Sequence, residues 1–306
     1  MREFDLVVVG AGLAGLTAGM YAGRYGLRVA IVDQMGAGGQ VVNVEKIENF
    51  PGFPQGIAGY DLGPIVQEQA EAAGAEFVMD TVEALALDGD ARILRCAEEE
   101  LRSRAVIIAA GSNLRSLGIP GEERFMGNGV SHCASCDAPF FAGQAACVIG
   151  GGDSALDEAA VLAGQAERVR VFHRGPAFSA QQVIVDKALS MPNIDPVFNA
   201  EVQQILGEDS VTGVSVRDLE SGSVRTEELS GVFVFVGLEP NTAFVHGVLD
   251  LDPAGHIVTD MQLRASVPGV FAAGDIRQGS VAQLVSAAGD GATAAIAAYR
   301  YLNSER

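Results

Sequence analysis

The chain has 306 residues, long for one compact core, so two domains are the natural expectation. Its 20 Lys and Arg stand against 39 Asp and Glu, a net charge of −19. That balance argues against a nucleic-acid partner, which would need a basic stripe, and suits solubility or docking to a partner with a basic face. No run approaches the ~18 apolar residues of a membrane-spanning helix. The start, Met1-Arg2-Glu3-Phe4-Asp5, carries neither the basic region nor the cleavage site of a signal peptide, so the expectation is a cytoplasmic protein with no membrane partner.

In chain order, Leu6-Val7-Val8-Val9 reads as a short buried strand, followed by Gly10-Ala11-Gly12-Leu13-Ala14-Gly15 and a small-residue helix to about Arg24. A second strand over 29–32 ends at Asp33. A helix near 63–73 and a β-rich stretch over 77–101 come next. Residues 105–109 form another buried strand, ending in Ala110 and Gly111. Beyond Cys133-Ala134-Ser135-Cys136, a strand over 145–149 enters Gly150-Gly151-Gly152-Asp153-Ser154-Ala155. A helix to about Leu162 and a strand over 169–172 ending at His173 follow it. Residues 269–275 repeat the strand-then-glycine form and end in Gly274 and Asp275, and an alanine-rich helix over 282–301 closes the pattern.

Strand, glycine turn, helix, strand is therefore present twice. In each copy the residue at the end of the second strand lies 23 positions after the first glycine, Gly10 to Asp33 and Gly150 to His173. A lone G-x-G-x-x-G is a weak signal, but one placed between strand and helix and repeated in register is strong. Gly10 permits the tight turn, Gly12 lets the backbone approach a pyrophosphate, and Gly15 (Ala155 in the second copy) lets helix pack on strand. The helix N-terminus then offers free N–H groups and partial positive charge to the phosphates. The plainer alternative is two glycine-rich turns in an ordinary sheet.

The expected fold is α/β, with two Rossmann-like, three-layer dinucleotide-binding domains, the second inserted into the first. Segments 112–117 and 237–241 bracket the second copy. They divide the chain into a discontinuous FAD-binding domain, 1–112 and 242–306, and an NAD(P)H-binding domain, 113–241, that carries the cysteine pair. Asp33 stands where a carboxylate accepts hydrogen bonds from a ribose diol, as FAD would offer. In the second copy His173 and Arg174 bring no carboxylate to repel a 2′-phosphate and one fixed cation to attract it. That leans the second site towards NADPH. Asp275 either bonds a cofactor or merely caps a turn.

Cys133 and Cys136 are two of only four cysteines, with Cys96 and Cys147, which is no disulfide framework for a reducing compartment. A structural zinc site needs four ligands, and nothing repeats the spacing, so no metal is expected. Covalent haem attachment needs a histidine after the second cysteine, where Asp137 stands. A redox dithiol needs two thiols and a nearby proton donor. Asp137 is adjacent and His132 is its rival. The thiolate is the reactive form. Cys96 and Cys147 read as buried small hydrophobes.

At these residues the chain resembles the low-molecular-weight bacterial thioredoxin reductases over essentially its whole length. The resemblance rests on 10–15, Gly38-Gly39-Gln40, Glu48-Asn49-Phe50-Pro51-Gly52, Cys133-Ala134-Ser135-Cys136-Asp137, 150–155, 270–275 and 283–291. It implies FAD and NADPH as cofactors, a homodimer, and reduction of thioredoxin or a thioredoxin-like dithiol protein. Cys136 would lie against the flavin, Cys133 would attack the partner disulfide, and Asp137 would be the general acid. Gly10, Gly12, Ala14, Gly15, Asp33, Gly39, Gln40, Asn49, Ala110, Gly111, Gly274, Asp275 and Gln283 would hold FAD. Gly150, Gly152, Asp153, Ser154, Ala155, His173 and Arg174 would hold the nicotinamide nucleotide.

One departure matters. The family's NADPH type carries three arginines in a His-Arg-Arg-x-x-x-Arg pattern, whereas here only Arg174 is present, Gly175 and Ser179 standing at the other two positions. The run from Gly175 to Val183 is similar to the flavoprotein subunit of alkyl hydroperoxide reductase, a type that prefers NADH. NADPH, NADH and a different electron donor all stay open. Alternatives for the whole protein are a flavoprotein acting on small-molecule dithiols and a flavin-bound redox sensor.

Overall fold

The computed structural model describes residues 1–304. The chain forms two compact units: Met1–Asn113 with the chain from Glu239 onward, and Leu114–Leu238.

In the first unit β1 (Arg2–Val9), α1 (Leu13–Arg24), β2 (Val29–Asp33), α2 (Gly59–Ala72), β3 (Glu76–Met79), β4 (Val82–Asp88), β5 (Ala91–Cys96) and β6 (Glu100–Ile108) follow in order. β3, β2, β1 and β6 lie side by side and parallel, while β5 and β4 extend the sheet antiparallel. Leu6 to Val9 and Ala105 to Ile108 are buried without alternation, the pattern of parallel strands covered on both faces. One face packs against Leu13 and Leu16 of α1 and Leu62 and Val66 of α2. The other packs against Val245, Leu249 and Ile257.

β7 (Ser112–Leu114) leads into the second unit. There β8 (Val130–Ser131), α3 (Ala134–Asp137), β9 (Ala145–Gly150), α4 (Asp153–Ala163), β10 (Arg168–Phe172), α5 (Gln182–Leu189) and β11 (Ile194–Val197) precede β12 (Ala200–Gly207), β13 (Val211–Asp218), β14 (Val224–Glu228) and β15 (Gly231–Phe235). The parallel sheet runs β11-β10-β9-β15-β8. Leu156, Ala159 and Leu162 of α4 cover one face. The antiparallel sheet β12-β13-β14 covers the other through Val202, Val214 and Val216, which makes three layers. β16 (Leu238–Pro240) pairs with β7 and returns the chain to the first unit. There β17 (Val270–Ala272) joins β6 in parallel, and α6 (Leu284–Ser304) packs beside α1. That approach needs small residues: a Cβ on Gly291 of α6 would lie 2.1 Å from the Ala14 carbonyl oxygen.

The architecture is α/β with a parallel sheet at the heart of each unit, as the repeated strand–glycine–helix pattern predicts. Three local expectations shift. α2 begins at Gly59, not near 63, and holds Pro64 within it. α6 begins at Leu284, two residues late, because Ala282 sits in the left-handed region with φ 50° and breaks the helix there. Asp275 lies past its strand, in the 3₁₀ turn Gly274–Ile276. No helix among the described residues is long and apolar enough to cross a membrane.

Candidate active site and nucleotide sites

The dithiol sits on a single helical turn in the second unit. Cys133 is the N-cap of α3 and is joined to Cys136 by a disulfide, with Cα atoms 5.4 Å apart. One turn of helix has no stability of its own, so its N–H groups depend on outside acceptors. The Cys133 N–H donates to Ser131 Oγ at 3.0 Å, and the Ala134 N–H to Glu158 Oε2 at 2.5 Å. The Cys136 N–H donates to Cys133 Sγ at 3.2 Å. A thiolate at Cys133 would keep that donor and lie at the helix N-terminus, the arrangement that lowers a thiol pKa. Cys136 is exposed and Cys133 half-buried.

Asp137 closes the turn and lines an open cleft of about 360 Å³ with Ser131, Phe140 and Gln144. The rival proton donor, His132, commits Nδ1 to the Val234 carbonyl at 3.0 Å. The surroundings of the other two cysteines disfavour their thiolates. Burial, helped by Asp80, Glu99 and Glu83, pushes the Cys96 thiol up to about 12, and burial also raises the fully enclosed Cys147.

The first glycine turn has the features a pyrophosphate cradle needs. Gly10 takes φ 103°, and a Cβ on Gly15 would lie 1.8 Å from the Gly10 carbonyl oxygen. A Cβ on Gly12 would meet nothing within 4 Å, so the turn is open there. Gly12 caps α1 with no side chain, and no acidic residue stands in the first helical turn. The helix N-terminus therefore keeps its anion-binding character, and the residues present fit a dinucleotide. The Asp33 carboxylate accepts the Ala11 N–H at 2.8 Å and the Met35 and Gly36 N–H groups at 2.8 and 3.1 Å. Oδ1 takes both the Met35 and Gly36 N–H groups, whereas Oδ2 takes Ala11 alone and retains a lone pair for a ribose hydroxyl.

Around this turn the unit gathers residues far apart in sequence. Gly39 packs on Gly12, where its Cβ would come 3.3 Å from the Gly12 Cα. Gln40 Nε2 donates to the Ser112 carbonyl at 3.2 Å, and Asn49 Nδ2 to Gln283 Oε1 at 3.2 Å. The Ala110 carbonyl accepts from Asn241 Nδ2 at 2.8 Å, and Gly111 takes φ 61°. Gly274 also takes a positive φ, and a Cβ there would come 3.0 Å from that of Ala14. Burial pushes the Asp275 carboxyl above the ordinary aspartate range, although the Ser280 hydroxyl donates to it at 2.8 Å.

The second glycine turn repeats the form with changes. A Cβ on Gly150 would lie 2.3 Å from the Phe235 carbonyl oxygen, and Ala155 fills the place of Gly15. Gly152 caps α4 without a side chain. Asp153, beside Ser154 in the first turn, directs its carboxylate to the Gln181 N–H at 2.8 Å and to Gln181 Nε2 at 2.6 Å. The His173 ring lies between Gly151 and Gly175, whose Cβ atoms would come 2.4 and 2.8 Å from its two nitrogens, and Phe178 stands 5.9 Å away. Burial, helped by the Arg174 charge, holds the His173 pKa below its ordinary value. Exposed Arg174 is thus the one cation of the segment 173–182 at neutral pH.

The sequence reading passed over Glu158 and Asp290. Glu158 lies on the apolar stripe of α4 between Ala155 and Leu162, and Asp290 lies on that of α6 four residues before Ala294. A carboxylate on a buried stripe was the available signal, because it must find donors there.

The chain matches the family described as pyridine nucleotide-disulphide oxidoreductase over residues 4–291. It is 37% identical over 302 residues to a thioredoxin reductase of Treponema pallidum, covering 99% of this chain and 98% of the relative. It is 40% identical over 301 residues to one of Streptomyces clavuligerus, covering 97% and 94%. The crystal structure of Lactococcus lactis thioredoxin reductase superposes with a TM-score of 0.96 at 37% identity, covering 98% of this chain and 99% of that one. A match that runs from the first strand into the last helix, at such identities, makes this chain a member of the pyridine nucleotide-disulphide oxidoreductase family.

Proposed function

We propose that the chain is a thioredoxin reductase, passing electrons from a nicotinamide nucleotide to a thioredoxin-like protein through Cys133 and Cys136. The observation that carries this reading is the dithiol turn, with Cys133 at a helix N-terminus and the Cys136 N–H on its sulfur. Residues 1–112 and 242–306 are read as the FAD-binding domain and 113–241 as the NAD(P)H-binding domain. Gly10, Gly12, Ala14, Gly15, Asp33, Gly39, Gln40, Asn49, Ala110, Gly111, Gly274, Asp275 and Gln283 would hold FAD. Gly150, Gly152, Asp153, Ser154, Ala155, His173 and Arg174 would hold the nicotinamide nucleotide.

FAD, when bound, supplies a two-electron carrier able to accept hydride from a nicotinamide and to reduce a disulfide. The Cys133 thiolate attacks the partner disulfide, forming a mixed disulfide and releasing one partner thiolate, to which the Asp137 carboxyl gives a proton. Cys136, giving up its thiol proton to the second partner sulfur, then attacks Cys133 Sγ, which frees the reduced partner and restores the Cys133–Cys136 disulfide. The protein is read as cytoplasmic and homodimeric. Exposed Val42, Val44, Tyr60 and Ile65, on and beside α2, support self-association.

A second reading concerns the donor alone. With His173 uncharged between Gly151 and Gly175, a 2′-phosphate would meet one cation, so NADH becomes a competent alternative to NADPH. The test is anaerobic bleaching of the flavin by NADPH and NADH separately, followed by addition of thioredoxin. Bleaching by neither would overturn the nicotinamide reading, and bleaching without thioredoxin turnover would point to another acceptor. A Cys136→Ser protein that reduces thioredoxin at full rate would remove the dithiol assignment.

A further inference from the structure

One carboxylate from the core-facing stripe of α4 meets the start of the dithiol turn. Glu158, mid-way along α4, presents Oε2 to the Ala134 N–H at 2.5 Å, and the Ser135 N–H donates to the same carboxylate. These are the N–H groups that open α3, whose N-cap is Cys133. Such groups would otherwise lend their positive potential to a thiolate. An anion seated on them offsets part of that potential, while the Cys136 N–H stays on the sulfur. Burial pushes the Glu158 carboxyl above the ordinary glutamate range, against the pull of its two donors.

We propose that Glu158 is a positioning residue for the dithiol: it anchors the Cys133–Cys136 turn to α4 when the disulfide is open, and its charge restrains ionisation of the Cys133 thiol. The other acceptors on the turn are weaker anchors. Ser131 offers a hydroxyl, and Cys133 offers its own sulfur. The remaining ionisable groups on the turn and the elements against it are few. His132 is tied to the Val234 carbonyl, Asp137 ends the turn, Asp157 of α4 pairs with Lys187 at 3.7 Å, and Asp153 faces Gln181. The 3₁₀ turn Ala138–Phe141 that follows carries no ionisable side chain. Glu158 is therefore the anion seated on the N–H groups at the turn's start.

The inference rests on reading Cys133 and Cys136 as a redox pair. Its test is the rate of Cys133 alkylation by iodoacetamide against pH, in flavin-loaded full-length Cys136→Ser protein, read by mass spectrometry. Glu158→Gln keeps an acceptor oxygen and removes the charge. The apparent thiol pKa should then fall by about one unit, and alkylation below that pKa should rise about tenfold. Glu158→Asp keeps the charge and should move the profile back towards that of the unaltered residue. A Glu158→Gln profile that overlays the parent overturns the proposal. Should that variant not fold, the parent decides: its profile must show a second inflection where Glu158 takes up its own proton, and a single-group curve overturns the proposal equally. Alkylation needs neither electron donor nor protein partner, so this failure would leave the reductase reading standing.

Discussion

Asp290 grips Arg277 at both ends of the guanidinium group, Oδ2 to Nε at 2.6 Å and Oδ1 to Nη2 at 2.9 Å, and takes the Gly274 N–H at 3.0 Å as well. Both side chains are largely buried, Arg277 at 19% and Asp290 at 13% exposed, so the pair is little screened by solvent. It ties the Gly274–Ile276 turn, with Asp275 in it, to α6. Removing one partner of such a pair leaves an unpaired buried charge, at a cost of about 3 kcal/mol. Asp290→Ala should therefore lower the melting temperature by several degrees and release FAD during purification. Asp290→Asn, which can still accept the Gly274 N–H, should lose less. Calorimetry and the flavin-to-protein absorbance ratio check both. A variant with an unchanged melting temperature and full flavin would mean that the pair holds nothing.

The two glycines of the first turn should fail in different ways. A Cβ on Gly15 would lie 1.8 Å from a backbone oxygen, so Gly15→Ala must push α1 away from the turn, an overpacking cost of about 2–3 kcal/mol. Gly12 has extended backbone and open space around it. Gly12→Val should leave the melting temperature of the flavin-free protein nearly unchanged, within about 0.5 kcal/mol. It should still weaken FAD binding at least tenfold, about 1.4 kcal/mol, because the side chain fills the space the pyrophosphate needs. Titration of flavin-free protein with FAD separates the two. Tight FAD binding by Gly12→Val would show that the cradle lies elsewhere.

Much of this was legible before the structure, for a physical reason. A glycine turn between strand and helix is a local pattern, and both its steric cause and its period lie within about thirty residues. The membership in the oxidoreductase family read from those motifs is borne out. What escaped are partnerships that act across the fold. Glu158 lies 24 residues from Ala134, and Asn49 and Gln283, each read as an FAD residue, bond to one another across 234 positions. No local pattern announces such pairs. The start of α6 escaped for another reason: Ala282 takes a left-handed conformation unfavourable to alanine, held by the fold and invisible to helix propensity.

Asp275 gives a pH dependence with a definite sign. Burial, with Asp290 adding to it, holds its carboxyl above the ordinary aspartate range, against Ser280 and Arg277. The folded chain thus binds this proton more tightly than the unfolded chain does. Between the ordinary value and the raised one, stability falls as pH rises, and above the raised one the whole penalty remains. Asp275→Asn keeps a carbonyl for the Ser280 hydroxyl and carries no charge. The flavin-free variant should melt above the parent at neutral pH, with the gap closing as pH falls through the raised value into the ordinary aspartate range. A gap that does not change with pH would rule this cause out.

On the proposed nucleotide site, Arg174 would set how far a 2′-phosphate can be told from a hydroxyl. The histidine before it lies uncharged against the glycine turn, and no other cation follows as far as Gln182. One charge-assisted bond to a phosphate contributes about 1.5–3 kcal/mol. That corresponds to about ten- to a hundredfold in affinity, well short of what three arginines would supply. The parent enzyme should prefer NADPH by no more than that range in kcat/KM. Arg174→Ala should erase the preference by raising KM for NADPH while leaving the NADH values nearly unchanged, since the lost bond serves the 2′-phosphate alone. Steady-state rates with each donor, at fixed salt because the pair is exposed and screened, give the ratio. If Arg174→Ala impaired both donors equally, the residue would be holding the common part of the nucleotide, and selection of the donor would have to come from another part of the site.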